Sequence, residues 1–246
     1  MEKLLSSLMS LPFVFFAAAT SEKTGMETDT LKTSEGDLSI AFIGHGTLML
    51  SFGGKIIHID PVAKEGDYGK LPKADLILVT HEHSDHFDLE AIEKIRTNKT
   101  SVVANDSVAK QLPGAVVMKN GDSRTVGGIR IEAVPAYNIV HMRSPGIPFH
   151  PKGIGNGYVL TLGDRRLYVA GDSENTPEMK QLREIDIAFL PMNLPYTMTP
   201  EMVADAAKAF RPKILYPYHY GDTDASKLGA LLKGEEDIEV RIRRMH

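Results

Sequence analysis

The stretch Leu76–Glu90, LILVTHEHSDHFDLE, passes from a run of branched apolar residues into a cluster of imidazoles and carboxylates. The apolar run is typical of a short strand that is buried on both faces. Directly after it, His81, His83 and Asp85 occupy alternate positions, and alternate residues of an extended chain point to the same side. His86 follows Asp85 immediately and points elsewhere. The stretch therefore predicts ligands at the end of a buried strand, divided between two centres.

The chemistry of these side chains favours metal ions at both centres. Imidazole nitrogen and carboxylate oxygen are the ligands that zinc accepts when thiolate is absent, and the chain contains no cysteine. His81 and His83 can serve one metal, while Asp85 and His86 serve another. Surface histidines without a metal are the alternative, but the spacing His-x-His-x-Asp-His at a strand end favours the metal.

The composition limits the class of protein. At 246 residues, 42% hydrophobic and 24% charged, the chain is long enough to bury a substantial core in one large domain or two small ones. Its formal charge of −4 shows no basic excess, which argues against sequence-independent binding of nucleic acid. The lack of cysteine excludes disulfides and zinc–thiolate sites. The sequence carries no signal for an oligomeric state.

The N-terminal segment differs from the rest of the chain. It begins MEKLLSSLMSLPFVFFAAAT, with a lysine, an apolar stretch and three alanines. This order is typical of a secretory signal peptide, which we predict over residues 1–19, and it indicates export to the periplasm or outside the cell. A frayed apolar tail is the alternative. The apolar stretch is too short for a stable membrane span.

Residues 20–36 are polar and show almost no apolar periodicity, so they are predicted to form a mobile linker. Residues 37–246 alternate strand-like and helix-like segments and are predicted to form one domain. A helix is predicted after Asp88 as N-cap, and a second over PEMVADAAKAF, with Thr199 as its cap and Pro212 beyond its end. The predicted strands are LSIAFIG, LMLSF, KIIHID, ADLILVT, SVVAN, AVVMK, IRIEAVPA, GYVLTLG, RLYVAG, IDIAFLP and KILYPYH.

A weak internal echo is visible in two of these segments. GGKIIHIDP and GDRRLYVAGDS share a glycine turn, a short apolar strand and a terminal aspartate, which is Asp60 in the first and Asp172 in the second. One supersecondary unit used twice would explain the echo. Coincidence between two short strands is the alternative.

Three motifs together resemble the metallo-β-lactamase superfamily of metal-dependent hydrolases: THEHSDH at 80–86, GDS at 171–173 and YPYHYG at 216–221. The resemblance covers essentially all of residues 37–246. It implies an α/β fold built as a four-layer αββα sandwich, with the metal site at one edge of the two sheets. Within the superfamily, FIGHGTLML, IIHIDP and ILYPYHYG are most similar to a branch that includes ascorbate-6-phosphate lactonase.

The resemblance also implies the ligands and the metal. The ligands that it implies are His81 and His83 on the first metal, Asp85, His86 and His219 on the second, and Asp172 between the two. Members of the superfamily with a di-iron centre have a carboxylate at the position of His83. The imidazole here favours two divalent ions of the zinc type, with manganese as the alternative.

One ligand departs from the family pattern. The family commonly has a histidine in the segment that here reads AVPAYNIVHMRSPGIPFHPKGIGNGYV, where the nearest equivalent position is Asn138. His141 and His150 are both available. We favour His150, which lies just ahead of a glycine-rich turn and the next strand. His141, or no protein ligand at all, remains open from the sequence.

Two more residues of the family motifs are expected near the site. Asp60 could accept a hydrogen bond from a ligand imidazole and fix its tautomer, and His45 could line the pocket. Turn-forming roles are nearly as well supported for both. His58 and His246 are expected to take no part.

The implied chemistry is hydrolysis. Two zinc ions that share a water lower its pKa to roughly 7, which supplies hydroxide at neutral pH. Asp85 and Asp172 are the candidate catalytic residues, because they orient the metals and could accept the proton. The positive centre favours an anionic substrate, so a small anionic ester or lactone is the leading expectation.

Alternatives to that substrate stay open from the sequence. They are a phosphodiesterase on the same site and a metal-binding module without turnover. Arg143 and Lys152 could grip a phosphate or carboxylate, although a solvated charge is the simpler interpretation of each. Asn193 and Tyr196 lie in a loop of the kind that carries specificity.

Overall fold

The computed structural model describes residues 26–245, and the predicted signal peptide, 1–19, lies outside the described residues. Two seven-stranded sheets dominate the structure. The first contains, in this order across the sheet, β1 (Glu27–Thr33), β2 (Gly36–Gly44), β3 (Thr47–Phe52), β4 (Lys55–Ile59), β5 (Leu76–Leu78), β6 (Ser101–Ala104) and β7 (Val116–Val117). Neighbours are antiparallel as far as β4 and parallel from β4 to β7.

The second sheet repeats this plan. Its strands are β8 (Ser123–Val126), β9 (Ile129–Ala136), β12 (Gly155–Leu162), β13 (Arg165–Val169), β14 (Ile187–Pro191), β15 (Ile214–Tyr218) and β16 (Glu239–Val240). Neighbours are antiparallel as far as β13 and parallel from there on. Between β9 and β12 the chain forms a separate hairpin from β10 (Met142–Ser144) and β11 (Ile147–Pro148).

The five helices of residues 26–245 flank the sheets: α1 (Leu89–Ile95), α2 (Asp106–Ala109), α3 (Pro177–Lys180), α4 (Pro200–Phe210) and α5 (Lys227–Leu231). The predicted caps of α1 and α4 are confirmed. The Asp88 carboxylate accepts from the N–H groups of Glu90 and Ala91, and the Thr199 hydroxyl accepts from Met202. None of the helices in this part of the chain is long and apolar enough to cross a membrane.

Three apolar clusters hold the layers together. The largest lies between the sheets and includes Leu50, Ile57, Leu160 and Phe189. A second packs α3, α4 and α5 on the outer face of the second sheet, and a third packs α1 and α2 on the outer face of the first. Because both faces of the central strands are covered, they are continuous apolar runs, as the all-buried β5 shows. The predicted four-layer αββα sandwich is confirmed.

The predicted linker is wrong for residues 27–36. Glu27–Thr33 form β1, which pairs with β2 along its whole length, and Gly36 begins β2. The strand was invisible to apolar periodicity because it lies at the sheet edge with one face toward solvent. A partly buried ion pair adds to the packing of Leu31 on the central cluster, since Asp29 accepts hydrogen bonds from Arg243 and Tyr216.

The internal echo is confirmed by the topology. Both β4 and β13 pair antiparallel with the preceding strand of the sheet and parallel with the next one. They therefore occupy equivalent places in the two sheets. Asp60 and Asp172 both follow their carboxyl ends, at the same edge of the sandwich.

Candidate metal centre

The structure brings the seven predicted ligands together in two sets. In each set the potential ligand atoms lie within 4.8 Å of one another. The first set is His81, His83, His150 and Asp172, and the second is Asp85, His86, Asp172 and His219. His141, the alternative that the sequence left open, belongs to neither set.

Strand topology explains this convergence. β5, β13 and β15 each run parallel to a neighbour, and the carboxyl ends of parallel strands meet at one edge of a sheet. The His81–His86 turn follows β5, Asp172 follows β13 and His219 follows β15 directly. The two sheets pack face to face, so their edges bring these three segments together.

Asp172 lies between the two sets and presents one oxygen to each. Its Oδ2 is 3.2 Å from His150 Nε2 and 3.9 Å from His81 Nε2. Its Oδ1 is 3.2 Å from His86 Nε2 and 3.4 Å from His219 Nε2. Such a carboxylate can bridge two cations.

The residues present fit a pair of cations. His81 Nε2, His86 Nε2 and Asp172 Oδ1 are buried, and none of them has a hydrogen-bond partner among residues 26–245. Burying a polar atom without a partner is costly, and bound cations would supply the missing partners of these three atoms. Nitrogen and carboxylate donors without sulfur suit zinc or a similar divalent ion.

The charges of the site suit the same role. Burial and the neighbouring His86 hold the pKa of His81 well below its usual value, so its imidazole is neutral and its nitrogen lone pair is free. Burial opposes ionisation of Asp172, but His219 and His86 outweigh burial and hold its pKa well below the usual range. The same balance, with His219 and His45 as partners, lowers the pKa of Asp85.

Behind the second set, Asp60 fixes the orientation of a ligand. Its Oδ2 accepts from His86 Nδ1 at 2.7 Å, which leaves His86 Nε2 facing Asp172. The Thr80 N–H donates to Asp60 Oδ1 and the Thr80 hydroxyl to Oδ2, both at 2.7 Å. The predicted contact between Asp60 and a ligand imidazole is confirmed, and Asp60 also holds the turn that carries His81.

Asn138 performs the corresponding task behind the first set. Its Oδ1 accepts from His150 Nδ1 and from the His150 backbone N–H, both at 2.8 Å. His150 Nε2 therefore points to the centre, 3.2 Å from both Asp172 Oδ2 and His83 Nδ1. The position where the family commonly has a histidine thus holds the residue that orients a histidine twelve positions later.

Glu174 was missed by the sequence analysis. It is fully buried, and its carboxylate accepts from the backbone N–H groups of Ile139, Val140 and His141, each at 2.7 Å, and from Asn138 Nδ2 at 3.1 Å. His141 Nδ1 lies 2.7 Å from the same carboxylate, which explains why His141 is not at the centre. The available signal was an acidic residue in GDSE that the metal sets did not use.

His45 lies at the entrance to the second set. Its Nε2 is 3.3 Å from Asp85 Oδ2, and its ring centroid is 3.8 Å from that of His219. The next residue must be glycine, because a Cβ on Gly46 would lie 2.8 Å from His86 Cε1. The GHG motif therefore brings one imidazole to the site and leaves room for another.

A cleft of about 530 Å³ opens onto both sets. Its lining includes His83, Asp85, His150 and Asp172, together with Arg143, Phe149, Asn193 and Tyr196. A larger cleft of about 670 Å³ lies beside Lys110 and Lys119 and contains no residue of either set. Because its lining includes residues of both sets, the smaller cleft is the place where a substrate would meet them.

Comparisons with known proteins agree with this geometry. The model of the "Beta-lactamase superfamily domain" matches residues 39–219. A UPF0173 metal-dependent hydrolase of Thermococcus onnurineus is 34% identical over 199 residues, which are 74% of this chain and 84% of the relative.

Solved structures add to this result. The crystal structure of a protein from Parabacteroides distasonis, also described as a metal-dependent hydrolase, has 49% sequence identity and a TM-score of 0.86, over 90% of this chain and 100% of that one. The metallo-beta-lactamase fold protein YhfI of Bacillus subtilis has 14% identity and a TM-score of 0.65, over 91% and 98%, and shows the fold alone. This chain belongs to the β-lactamase superfamily and has the metallo-β-lactamase fold.

Proposed function

We propose that this protein is a metal-dependent hydrolase that holds two divalent ions, most readily zinc, and cleaves a small anionic ester or lactone. The observation that carries the proposal is the pair of four-residue sets that share Asp172, with buried donor atoms that have no other partner in residues 26–245. The metal-dependent hydrolases among the relatives support the reaction class.

The residues of the first set would hold one ion and those of the second set the other. Bound ions of this kind supply an activated water and polarise the carbonyl oxygen of a substrate. In the reaction, water adds to the acyl carbon, the acyl–oxygen bond breaks, and the leaving oxygen takes up a proton.

Asp85 is placed to accept a hydrogen bond from the attacking water. Its side chain is 45% exposed, far more than the 3% of Asp172, and it lines the cleft. Its lowered pKa keeps it ionised at neutral pH, so it can orient a water and accept a hydrogen bond from it. His45, whose Nε2 lies 3.3 Å from Asp85 Oδ2, can help to hold that carboxylate in place.

The preference for an anionic substrate follows from charge. Two divalent ions outweigh the charges of the two ligand carboxylates, Asp85 and Asp172, so the loaded centre is positive. The imidazoles contribute no negative charge. An anionic ester or lactone would be attracted to such a centre, and its transition state more so.

The experiment is metal removal and return. Chelated protein should show no hydrolysis, and added Zn²⁺ or Mn²⁺ should restore it on a panel of aryl esters, lactones and one phosphodiester, bis(4-nitrophenyl) phosphate. His81→Ala should lose the restored activity and bind less metal by elemental analysis. His58→Gln, which changes a buried histidine outside both sets, is the matched control and should keep both.

Equal activity in the His81→Ala variant would show that the measured hydrolysis comes from elsewhere. Turnover of the phosphodiester alone would replace the ester proposal by a phosphodiesterase. Stoichiometric metal without turnover on a broad panel would favour a binding module.

A further inference from the structure

Arg143 places a cation without an acidic partner in the lining of the cleft. It lies on β10, its side chain is exposed, and it lines the same cleft as His83 and Asp172. Within residues 26–245 no carboxylate forms an ion pair with it. Its guanidinium lies 5.8 Å from the centre of the Phe149 ring, a distance that suits a cation–π contact. The charge is therefore held over the cleft and is free to bind an anion.

Lys152, the other candidate cation of this segment, is engaged elsewhere. Its Nζ is 2.7 Å from Glu178 Oε1 and 3.2 Å from the Tyr137 hydroxyl, and it lies 4.7 Å from the centre of the Tyr137 ring. It does not line the cleft. The two cations, which the sequence could not tell apart, are therefore distinguished by their partners.

An apolar surface accompanies the free cation. Phe149 and Tyr196 form an edge-to-face pair with their ring centres 5.1 Å apart, and both line the cleft. Tyr196 is 45% exposed. Asn138 joins the two segments that carry this pair, because its Nδ2 donates to the Tyr196 carbonyl at 2.8 Å while its Oδ1 accepts from His150. The pair is thus fixed relative to a proposed metal ligand.

Further exposed apolar residues lie on the same two segments. They are Ile139, Val140, Met142 and Ile147 around the hairpin, and Leu194 beside Tyr196. Val140 is 63% exposed. Isolated exposed apolar residues are ordinary, but five in two neighbouring segments that flank a cleft are typical of a binding surface.

From these contacts we infer that the substrate is an amphiphilic ester or lactone, with an anionic group that binds Arg143 and an apolar arm that packs on Phe149 and Tyr196. The inference rests on the proposed function and specifies its substrate class. The guanidinium can pair with a carboxylate or a phosphate through two parallel hydrogen bonds. The aromatic pair offers a wall to an aryl or alkyl group but no charge.

The test uses a set of four aryl esters. Their acyl ends carry either a carboxylate or the matching neutral carboxamide, and either a short or a six-carbon apolar arm. Wild-type protein, Arg143→Gln, Tyr196→Ala and Lys152→Gln are compared after loading with zinc. Lys152→Gln is the matched control, since it removes a cation of the same segment that is already paired.

Wild type should prefer the carboxylate esters by at least about tenfold in kcat/KM, the size expected of one charge-assisted contact. Arg143→Gln should reduce that preference by about tenfold, to the part that the positive metal centre supplies, while leaving the rate on the neutral esters within about threefold. Tyr196→Ala should reduce the preference for the long arm, and Lys152→Gln should change neither. A charge preference that is undiminished in Arg143→Gln, or is absent from an active wild type, overturns the inference and leaves the proposed hydrolase intact.

Binding decides the matter if none of the esters is hydrolysed, an outcome that counts against the proposed function itself. The probe is a stable anilide that ends in a carboxylate, titrated calorimetrically into the zinc-loaded protein beside its neutral carboxamide. Binding of the anion that is tenfold weaker in Arg143→Gln than in wild type supports the anion site. Equal binding shows that the carboxylate binds elsewhere in the cleft and refutes it.

Discussion

Asp60 and Asp172 follow equivalent strands in the two halves of the sandwich, but the Asp60 carboxylate lies behind the candidate ligands and the Asp172 carboxylate lies among them. Asp60 comes directly after β4, and its N–H donates to the Leu78 carbonyl of the next strand. The residue with the corresponding bond in the second half is Ala170, whose N–H donates to the Phe189 carbonyl. Asp172 lies two residues further on. Because of these two additional residues, the Asp172 carboxylate lies within both candidate ligand sets, whereas the Asp60 carboxylate lies outside them.

The partners of the two carboxylates reflect this offset. Asp60 is saturated by protein donors from Thr80 and His86. Asp172 Oδ1 is buried without a hydrogen bond from residues 26–245 and faces imidazoles. One repeated unit thus supplies an orienting group in one half and, in the other, the carboxylate that both candidate ligand sets share. The comparison teaches that a strand-end aspartate acquires its role from how far it lies beyond the strand.

The largest effect is expected from Asp172→Asn. The amide keeps the shape but offers a single uncharged oxygen, so it cannot serve both sets. Metal content should fall in both, and hydrolysis should drop by more than about 100-fold, beyond what loss of an orienting group costs. Elemental analysis and kcat/KM measure this, with circular dichroism to verify folding. Undiminished metal content would remove Asp172 from the bridging position.

Asp60→Asn should have a smaller effect on metal binding than Asp172→Asn, and it should affect the second ligand set only. An asparagine side chain has one oxygen that can accept, so it cannot accept from both the Thr80 N–H and His86 Nδ1 as the two carboxylate oxygens do. Because His86 then loses the partner that orients it, metal affinity should fall by roughly 10- to 100-fold. Competitive zinc titration measures the loss. Asp75→Asn is the control, because Asp75 accepts from the Ile56 N–H on the same strand but is remote from both sets. An equal loss in the control would mean that the effect is not specific to Asp60.

Gly171→Ala tests the offset itself. Gly171 has φ +63°, and a Cβ there would lie 2.9 Å from the Asn156 carbonyl oxygen and 3.1 Å from Thr80 Cβ. The left-handed backbone and the overlap together should lower the free energy of unfolding by about 2 kcal/mol. Zinc affinity should fall as Asp172 shifts. Urea unfolding of metal-free protein measures the first effect.

The control for that variant is Gly229→Ala, where a Cβ meets nothing within 4 Å. It should be neutral or slightly stabilising, since alanine favours a helix over glycine. If both variants unfold alike, the geometry around Gly171 imposes no requirement for glycine.

The smallest effect concerns the strands rather than their ends. His58 on β4 and Tyr168 on β13 occupy matching positions, and both are fully buried. Burial lowers the pKa of His58 to about 4, although its hydrogen bond to the Pro72 carbonyl opposes this. Burial raises the pKa of Tyr168, which therefore stays neutral over the same range. Of this matched pair, only His58 should therefore cost stability as the pH falls.

Because the folded-state pKa of His58 lies below its unfolded value, its contribution to stability is complete above pH 6.5 and is lost as the pH falls toward 4. Between pH 7 and pH 5 this amounts to about 1–2 kcal/mol. Glutamine at position 58 keeps a donor for the Pro72 carbonyl but cannot titrate. Between pH 7 and pH 5 the metal-free His58→Gln variant should therefore lose about 1–2 kcal/mol less free energy of unfolding than the metal-free wild type. Parallel pH dependences of wild type and variant in urea unfolding would assign the acid sensitivity to other groups.

Much of the fold could be predicted because it depends on local patterns. The continuous apolar run before His81, the caps at Asp88 and Thr199 and the glycine turns are properties of a few neighbouring residues, and each was found where predicted. β1 was not predicted, because part of what anchors it, Arg243 and Tyr216, lies nearly the whole chain away. Short polar strands such as β8 and β16 leave no periodic signal either.

For the site, the sequence by itself determined the types and spacing of the ligands, because His-x-His-x-Asp-His is set within one turn and the strand ends carry Asp172 and His219. Only the tertiary structure decided between His150 and His141, since the choice depends on Asn138 turning one imidazole inward and Glu174 holding the other outside. It also separated Arg143 from Lys152 by their partners. Hydrogen bonds between distant segments leave no pattern along the chain, so these choices appear only once the chain has folded.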